Sequence, residues 1–148
     1  MDNNTIKIRI MDDDVIKFRM WKRSKQKMYY MEHGDMLSLI VNRECKTEWI
    51  FNKDEDLETI DDLNSELMEY TGLKDKNGVE VYEHDIIKLA CENENGIHGQ
   101  VFKKLGAFCF FCYEEGNIIS LIDILSNHEN VIEVIGNIYE RPMQQINL

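Results

Sequence analysis

Residues Tyr70–Leu89 read YTGLKDKNGVEVYEHDIIKL. Two β-prone flanks meet across Asn77-Gly78, and Asn-Gly marks a tight hairpin because both residues tolerate positive φ. Asp75 stands just ahead of that pair, where its carboxylate can accept a backbone N–H and pin the chain entering the turn. Gly72 is placed to end the preceding strand. Glu83-His84 makes a second reversal before Ile86-Ile87 re-enters the core. The stretch also crowds Asp75, Glu80, Glu83, His84 and Asp85 together, as an acid–base site would. Clustered acids without a defined base partner seldom make a site, and solvated turn residues account for them.

Outward from this hairpin the pattern stays β. ELMEYT (66–71), DIIKLAC (85–91), IHGQVFK (97–103), AFCFFCY (107–113) and VIEVIGNIY (131–139) are rich in β-branched and aromatic residues. Asn77-Gly78, Asn95-Gly96, Leu105-Gly106 and Gly116-Asn117 separate them as turn signals. SLIDILS (120–126) suits a short helix. Five short strands with tight turns predict a small closed barrel, since closure removes exposed strand edges.

Towards the N-terminus, Ile6, Ile8 and Ile10 alternate with polar residues, and Val15–Trp21 repeats the pattern with Lys17 and Arg19 facing out. Lys27–Met31, Leu37–Val41 and Thr47–Phe51 are further short strands. DEDLETIDD (54–62) holds six carboxylates with Leu57 and Ile60 three apart. A short helical turn or charged connector fits it better than a strand. The sequence therefore predicts an N-terminal β-rich unit over residues 1–62, ending in a short acidic connector, and a barrel over 63–148. The fold class is mainly β, α+β at most.

Length and composition bound the rest. The chain has 148 residues, 43% of them hydrophobic, with one Pro and eight Gly, which is material for a true core rather than a linker. No apolar run approaches the roughly 20 residues of a membrane helix. The polar start MDNNTIKIRIMDDD lacks the apolar centre of a signal peptide. A cytoplasmic protein with Cys45, Cys91, Cys109 and Cys112 as free thiols is the expectation. The net charge of −11 opposes non-specific attraction to nucleic acid or anionic lipid. Residues 1–53 hold 11 Lys/Arg and 8 Asp/Glu, net +3, whereas residues 54–148 hold 6 and 20, net −14.

Cys109-Phe-Phe-Cys112 has redox-motif spacing, but it lies in a run that reads as strand. Residues three apart on a strand point to opposite faces, so the two sulfurs would not share a ligand. His33, His84, His98 and His128 stand isolated, and no metal, cofactor or catalytic constellation is expected. KFRMWKRSKQK (17–27) is the one segment with binding chemistry. It offers Lys17, Arg19, Lys22, Arg23, Lys25 and Lys27 beside Trp21, and basic groups interleaved with aromatics can hold phosphates and stacked bases. Ordinary strand alternation followed by a charged turn explains the same residues.

YTGLKDKNGVEVYEHDIIK, VIKFRMWKRSKQKMYYM (15–31) and IEVIGNIYERP (132–142), in their order along the chain, resemble the YopX family of phage and prophage proteins. The resemblance implies a β-rich fold with an SH3-like C-terminal part, and no biochemical activity. The family pattern usually has Gly at the position of His84, which implies a backbone requirement there rather than imidazole chemistry. The expectation is a non-enzymatic module that binds protein, including a second copy of itself. The alternative is a nucleic-acid-binding accessory factor using Lys17–Lys27, and an enzyme of unknown reaction is more remote. No membrane association is expected.

Overall fold

The computed structural model describes residues 4–9, 17–31, 36–41, 47–53, 56–60, 65–90, 95–127 and 132–140. The chain forms two compact units that divide between Glu69 and Tyr70, where the sequence had suggested 62/63. The structural division also redistributes the charge. Residues 1–69 carry 11 Lys/Arg against 16 Asp/Glu, net −5, and residues 70–148 carry 6 against 12, net −6. The acids of residues 54–69 belong with the basic N-terminal strands, so the units themselves have no charge asymmetry.

In the first unit, β1 (Asn4–Arg9), β4 (Met36–Val41), β5 (Thr47–Lys53) and β6 (Asp56–Ile60) form an antiparallel sheet in the order β1-β4-β5-β6. Ile6 lies opposite Leu39 and Leu39 opposite Trp49, so the period-two apolar positions coincide across the strands. The strand β6 corrects the helical turn or connector expected over 54–62. Leu57 and Ile60 alone cannot establish a helical period. Pairing along β5, from Trp49↔Ile60 to Lys53↔Asp56, determines the conformation instead.

A second sheet in this unit pairs β2 (Phe18–Lys22) with β3 (Lys27–Tyr30) on one side and with Ser65–Glu69 of β7 (Ser65–Lys74) on the other. Arg19, Met20 and Trp21 are all buried. The alternation that put Arg19 outward is therefore corrected: β2 is the middle strand, enclosed on both faces. The Arg19 guanidinium lies 5.9 Å from the Tyr30 ring centroid. Met20 and Met31 form the local core with Phe18, Tyr29 and Leu67 against them.

The second unit begins in the rest of β7, which pairs with β8 (Glu80–Tyr82) through Tyr70↔Tyr82 and Lys74↔Glu80. Gly72 does not end the strand; at φ 85 it sits in a bulge that lets β7 run on to Lys74. A five-stranded antiparallel sheet follows in the order β12 (Ile118–Ser120), β11 (Ala107–Cys112), β10 (Ile97–Lys104), β9 (Asp85–Leu89), β13 (Ile132–Asn137). It curls into a half-barrel, so the fold is mainly β with a small C-terminal barrel, as expected. Its membership differs from expectation in one place. The strand of 66–71 pairs with β2 and β8, and the short β12 occupies the fifth position.

The only helix among the described residues, α1 (Leu121–Asn127), turns Leu121 and Ile124 into a core with Ile87, Val101, Phe110 and Ile132. Gly99 on β10 allows the tightest approach. A Cβ there would overlap the Phe111 carbonyl oxygen and the Phe110 ring.

Candidate functional site

The acids of the opening hairpin build the backbone. Asp75 is buried, and its Oδ1 accepts from the amides of Asn77 (2.8 Å) and Val79 (2.9 Å) while Oδ2 accepts from Val134 (3.0 Å). Burial pushes this carboxyl up, but those three amides and nearby Lys76 outweigh it and hold the carboxyl below its ordinary range. Gly78 donates to the Asp75 carbonyl (3.0 Å) with φ 80, whereas Asn77 keeps negative φ. The loop is thus a turn closed by a glycine bulge rather than two residues at positive φ. Asp85, also buried, accepts from the Tyr82 amide at 2.8 Å. Between them His84 adopts φ 65, the conformation that glycine supplies without strain. Its amide donates to Val101 (2.7 Å), its carbonyl accepts from Ile138 (3.1 Å), and its ring meets Gln100 Nε2 (3.1 Å) and the edge of Tyr139.

His84 and His98 are not isolated, contrary to expectation. His98 Nδ1 lies 2.9 Å from Glu114 Oε1, and the same carboxylate accepts from the His98 amide. The Cys112 thiol donates to Glu114 Oε2 at 3.6 Å. Thiol, imidazole and carboxylate are the components of a nucleophilic site, but their order opposes that use. The carboxylate stands between the other two groups, and burial, helped by the hydrogen bond to Glu114 and then its charge, outweighs the Glu115 and Glu114 amides and pushes the thiol up, which disfavours thiolate. For Glu114, burial raises the pKa, but the His98 amide and ring outweigh it and hold the carboxyl low. Counting outward from the Leu105-Gly106 turn would have found this cluster. A two-residue turn fixes hairpin register, and the ladder from Lys104↔Ala107 to Gly99↔Cys112 brings His98 opposite Tyr113, beside Glu114.

Cys109 and Cys112 are buried free thiols with separate partners, the Cys109 thiol donating to the Ala107 carbonyl at 3.7 Å. Among the described residues no group of three His, Cys, Asp or Glu side chains is arranged to hold a metal. Cys45, Cys91, His33 and His128 lie outside the described residues.

The basic segment is divided by the sheet. Arg19 and Trp21 are buried, Lys17 and Lys22 half-buried, and Arg23 donates to Glu66 Oε1 at 2.7 Å. Lys25 and Lys27 are exposed at the β2–β3 turn, with Lys27 Nζ 4.9 Å from the Tyr29 ring centroid. Of the seven residues singled out within 17–27, only Lys25 and Lys27 are therefore exposed.

A different surface is exposed and apolar. On the outer side of the half-barrel Phe111 is paired opposite Ile118 in the β11–β12 register, at 37% and 48% exposure. Tyr113 packs edge-on to Phe111, with ring centroids 6.0 Å apart. Ile122 on α1 is 69% exposed. Phe111 was hidden in sequence within an apolar run, where nothing distinguishes an outward aromatic from a core one.

The fold and these surfaces define a small, mainly β protein with a curled five-stranded sheet. The family model for YopX protein matches residues 17–144, and the chain belongs to that family. The crystal structure of protein YopX from Bacillus subtilis is similar, with TM-score 0.56 and 22% identity over 86% of this chain and 95% of that one. That of protein EF1440 from Enterococcus faecalis is similar with TM-score 0.55 and 23% identity, over 88% and 98%. No curated protein matches. Among the described residues no helix is long and apolar enough to cross a membrane.

Proposed function

We propose that this chain is a non-catalytic module that works by contacting another protein, as an accessory factor of a phage or prophage in the cytoplasm of its bacterial host. The observation carrying this reading is where its reactive and apolar groups lie. Asp75, Asp85 and Glu114 accept backbone amides and serve as braces, while Phe111, Ile118 and Ile122 remain at the surface. Phe111 and Ile118 lie side by side on one face, and exposed apolar side chains so grouped mark contact sites more reliably than scattered ones. A second copy of the chain is one candidate partner.

The second reading, nucleic-acid binding, rests on the exposed Lys25 and Lys27 beside Tyr29 and Tyr30. Burial of Arg19 and Trp21 leaves it few groups for phosphates or stacked bases. A comparative pull-down from host cells tests the choice, using wild type and a Phe111→Lys, Ile118→Lys double variant. A partner enriched by wild type and lost from the variant supports the protein-contact reading. Submicromolar binding of DNA or RNA at about 150 mM salt, lost on reversing Lys22, Arg23, Lys25 and Lys27, would replace it with the second.

A further inference from the structure

We infer that β12 accepts an added strand: an extended polypeptide segment that alternates apolar with basic residues. This deepens the protein-contact reading and rests on it. Among the described residues β12 terminates the five-stranded sheet, with β11 its one partner there. A terminal strand presents a row of backbone donors and acceptors, and natural edges are ordinarily shielded by shortness, charge, proline or a covering element; of these β12 shows its three-residue length. The residues of β12 are Ile, Ile and Ser, which carry no charge. Ile119 packs on the core, Ile118 is 48% exposed, and Phe111 lies beside it on the same face. An incoming strand would find backbone pairing along β12 and an apolar floor for every second side chain, which is the chemistry of strand addition.

Charge selects the occupant. No Lys or Arg occurs between Lys104 and Arg141, while Glu114, Glu115, Asp123, Glu129, Glu133 and Glu140 do. Glu114 and Glu115 lie in the turn leading into β12, and Asp123 lies in the first turn of α1 just after it. On this sheet Lys103 and Lys104 sit at the other end of the β10–β11 hairpin, and Lys88 in β9 is separated from β12 by β10 and β11. Basic side chains on the added strand would meet these acids, steering association and setting direction. Self-pairing of β12 with a second copy would instead oppose the same acids to one another.

The test uses the full chain and capped peptides of about nine residues, enough for one strand. One peptide alternates valine with lysine, one valine with glutamate, and a third is the lysine peptide N-methylated along one edge. The lysine peptide should bind about tenfold or more tighter than either of the others at low salt, and protect the amides of Ile118–Ser120 from hydrogen exchange. Phe111→Lys and Ile118→Lys, exposed positions whose melting midpoints should be unchanged, should each weaken binding by about tenfold. Equal binding of the N-methylated peptide would overturn strand addition, and equal binding of the glutamate peptide would overturn the basic occupant. A dimer in sedimentation that the Phe111→Lys change dissolves would assign the edge to a second copy and overturn both. Should no peptide bind while the pull-down partner still depends on Phe111 and Ile118, strand addition fails and protein contact stands. Loss of that dependence as well removes the protein-contact reading itself.

Discussion

At the scale of single residues, two carboxylates and one imidazole make the sharpest predictions. Asp75 and Glu114 both have carboxyls held below their ordinary values by amide donors. A group with a lowered folded pKa contributes stability above its unfolded pKa, and loses it as pH falls through the folded value. Melting midpoints should therefore hold steady from neutral pH towards about pH 5 and fall in more acidic solution. Asp75→Ala should cost about 2 kcal/mol at neutral pH, since it leaves three partly buried amides without their acceptor, and should flatten the acid limb. An unchanged acid limb in thermal melts of that variant would refute the assignment. At His84 the backbone dominates. Histidine at φ 65 is strained, so His84→Gly should exceed His84→Ala in stability by about 1 kcal/mol. The reverse order would refute the strain at this position, and a wild type more stable than His84→Gly would show that the ring contacts to Gln100 and Tyr139 outweigh it.

At the scale of elements, the two central glycines differ in mechanism. A Cβ at Gly78 meets no atom, so Gly78→Ala carries only the positive-φ term, about 1 kcal/mol. At Gly99 the obstacle is the neighbouring strand, and Gly99→Ala should cost well over that, with shifted Phe110 and Phe111 resonances. Equal denaturant midpoints for the two variants would count against the β10–β11 register. Elements were legible where their local signals were strong: the Asn-Gly turn, the Leu105-Gly106 turn and the apolar runs between them. Pairings of residues far apart in sequence were not. β6 carries a composition that suits a connector, and only the edge of β5 makes it a strand. β12 is too short to show a period. Its place in the sheet depends on β11, not on its own residues. Glu114, by contrast, was legible but passed over, since counting from the Leu105-Gly106 turn brings His98 beside it.

At the scale of the whole molecule, charge argues for selective contacts. With units at −5 and −6, no part of the chain repels nucleic acid less than another merely by belonging to a particular unit. Two exposed lysines at one turn cannot neutralise many phosphates, so any association with DNA or RNA should fall steeply as salt rises. Fluorescence anisotropy across a salt series reads this directly, and strong binding that resists about 150 mM salt would contradict it. The thiols are equally global in behaviour. All four cysteines should alkylate after unfolding without prior reduction, and Cys112, enclosed in the core, should react slowly in the native protein. A mass increment for fewer than four sites would reveal a disulfide.

The Asp75 brace also bears on how the chain is made. Its third amide, that of Val134, lies 59 residues further along, and Lys76 donates to Ile132 beside it. A ribosome delivers the hairpin well before β13. During that interval β9 has β10 on one side and, on the side β13 will take, an uncovered row of amides along Asp-Ile-Ile-Lys-Leu. Closure of long-range pairs is slow, and an uncovered apolar edge invites aggregation while it waits. A nascent chain stopped before Ile132 should therefore depend on chaperones for solubility, and one released beyond Asn137 should not.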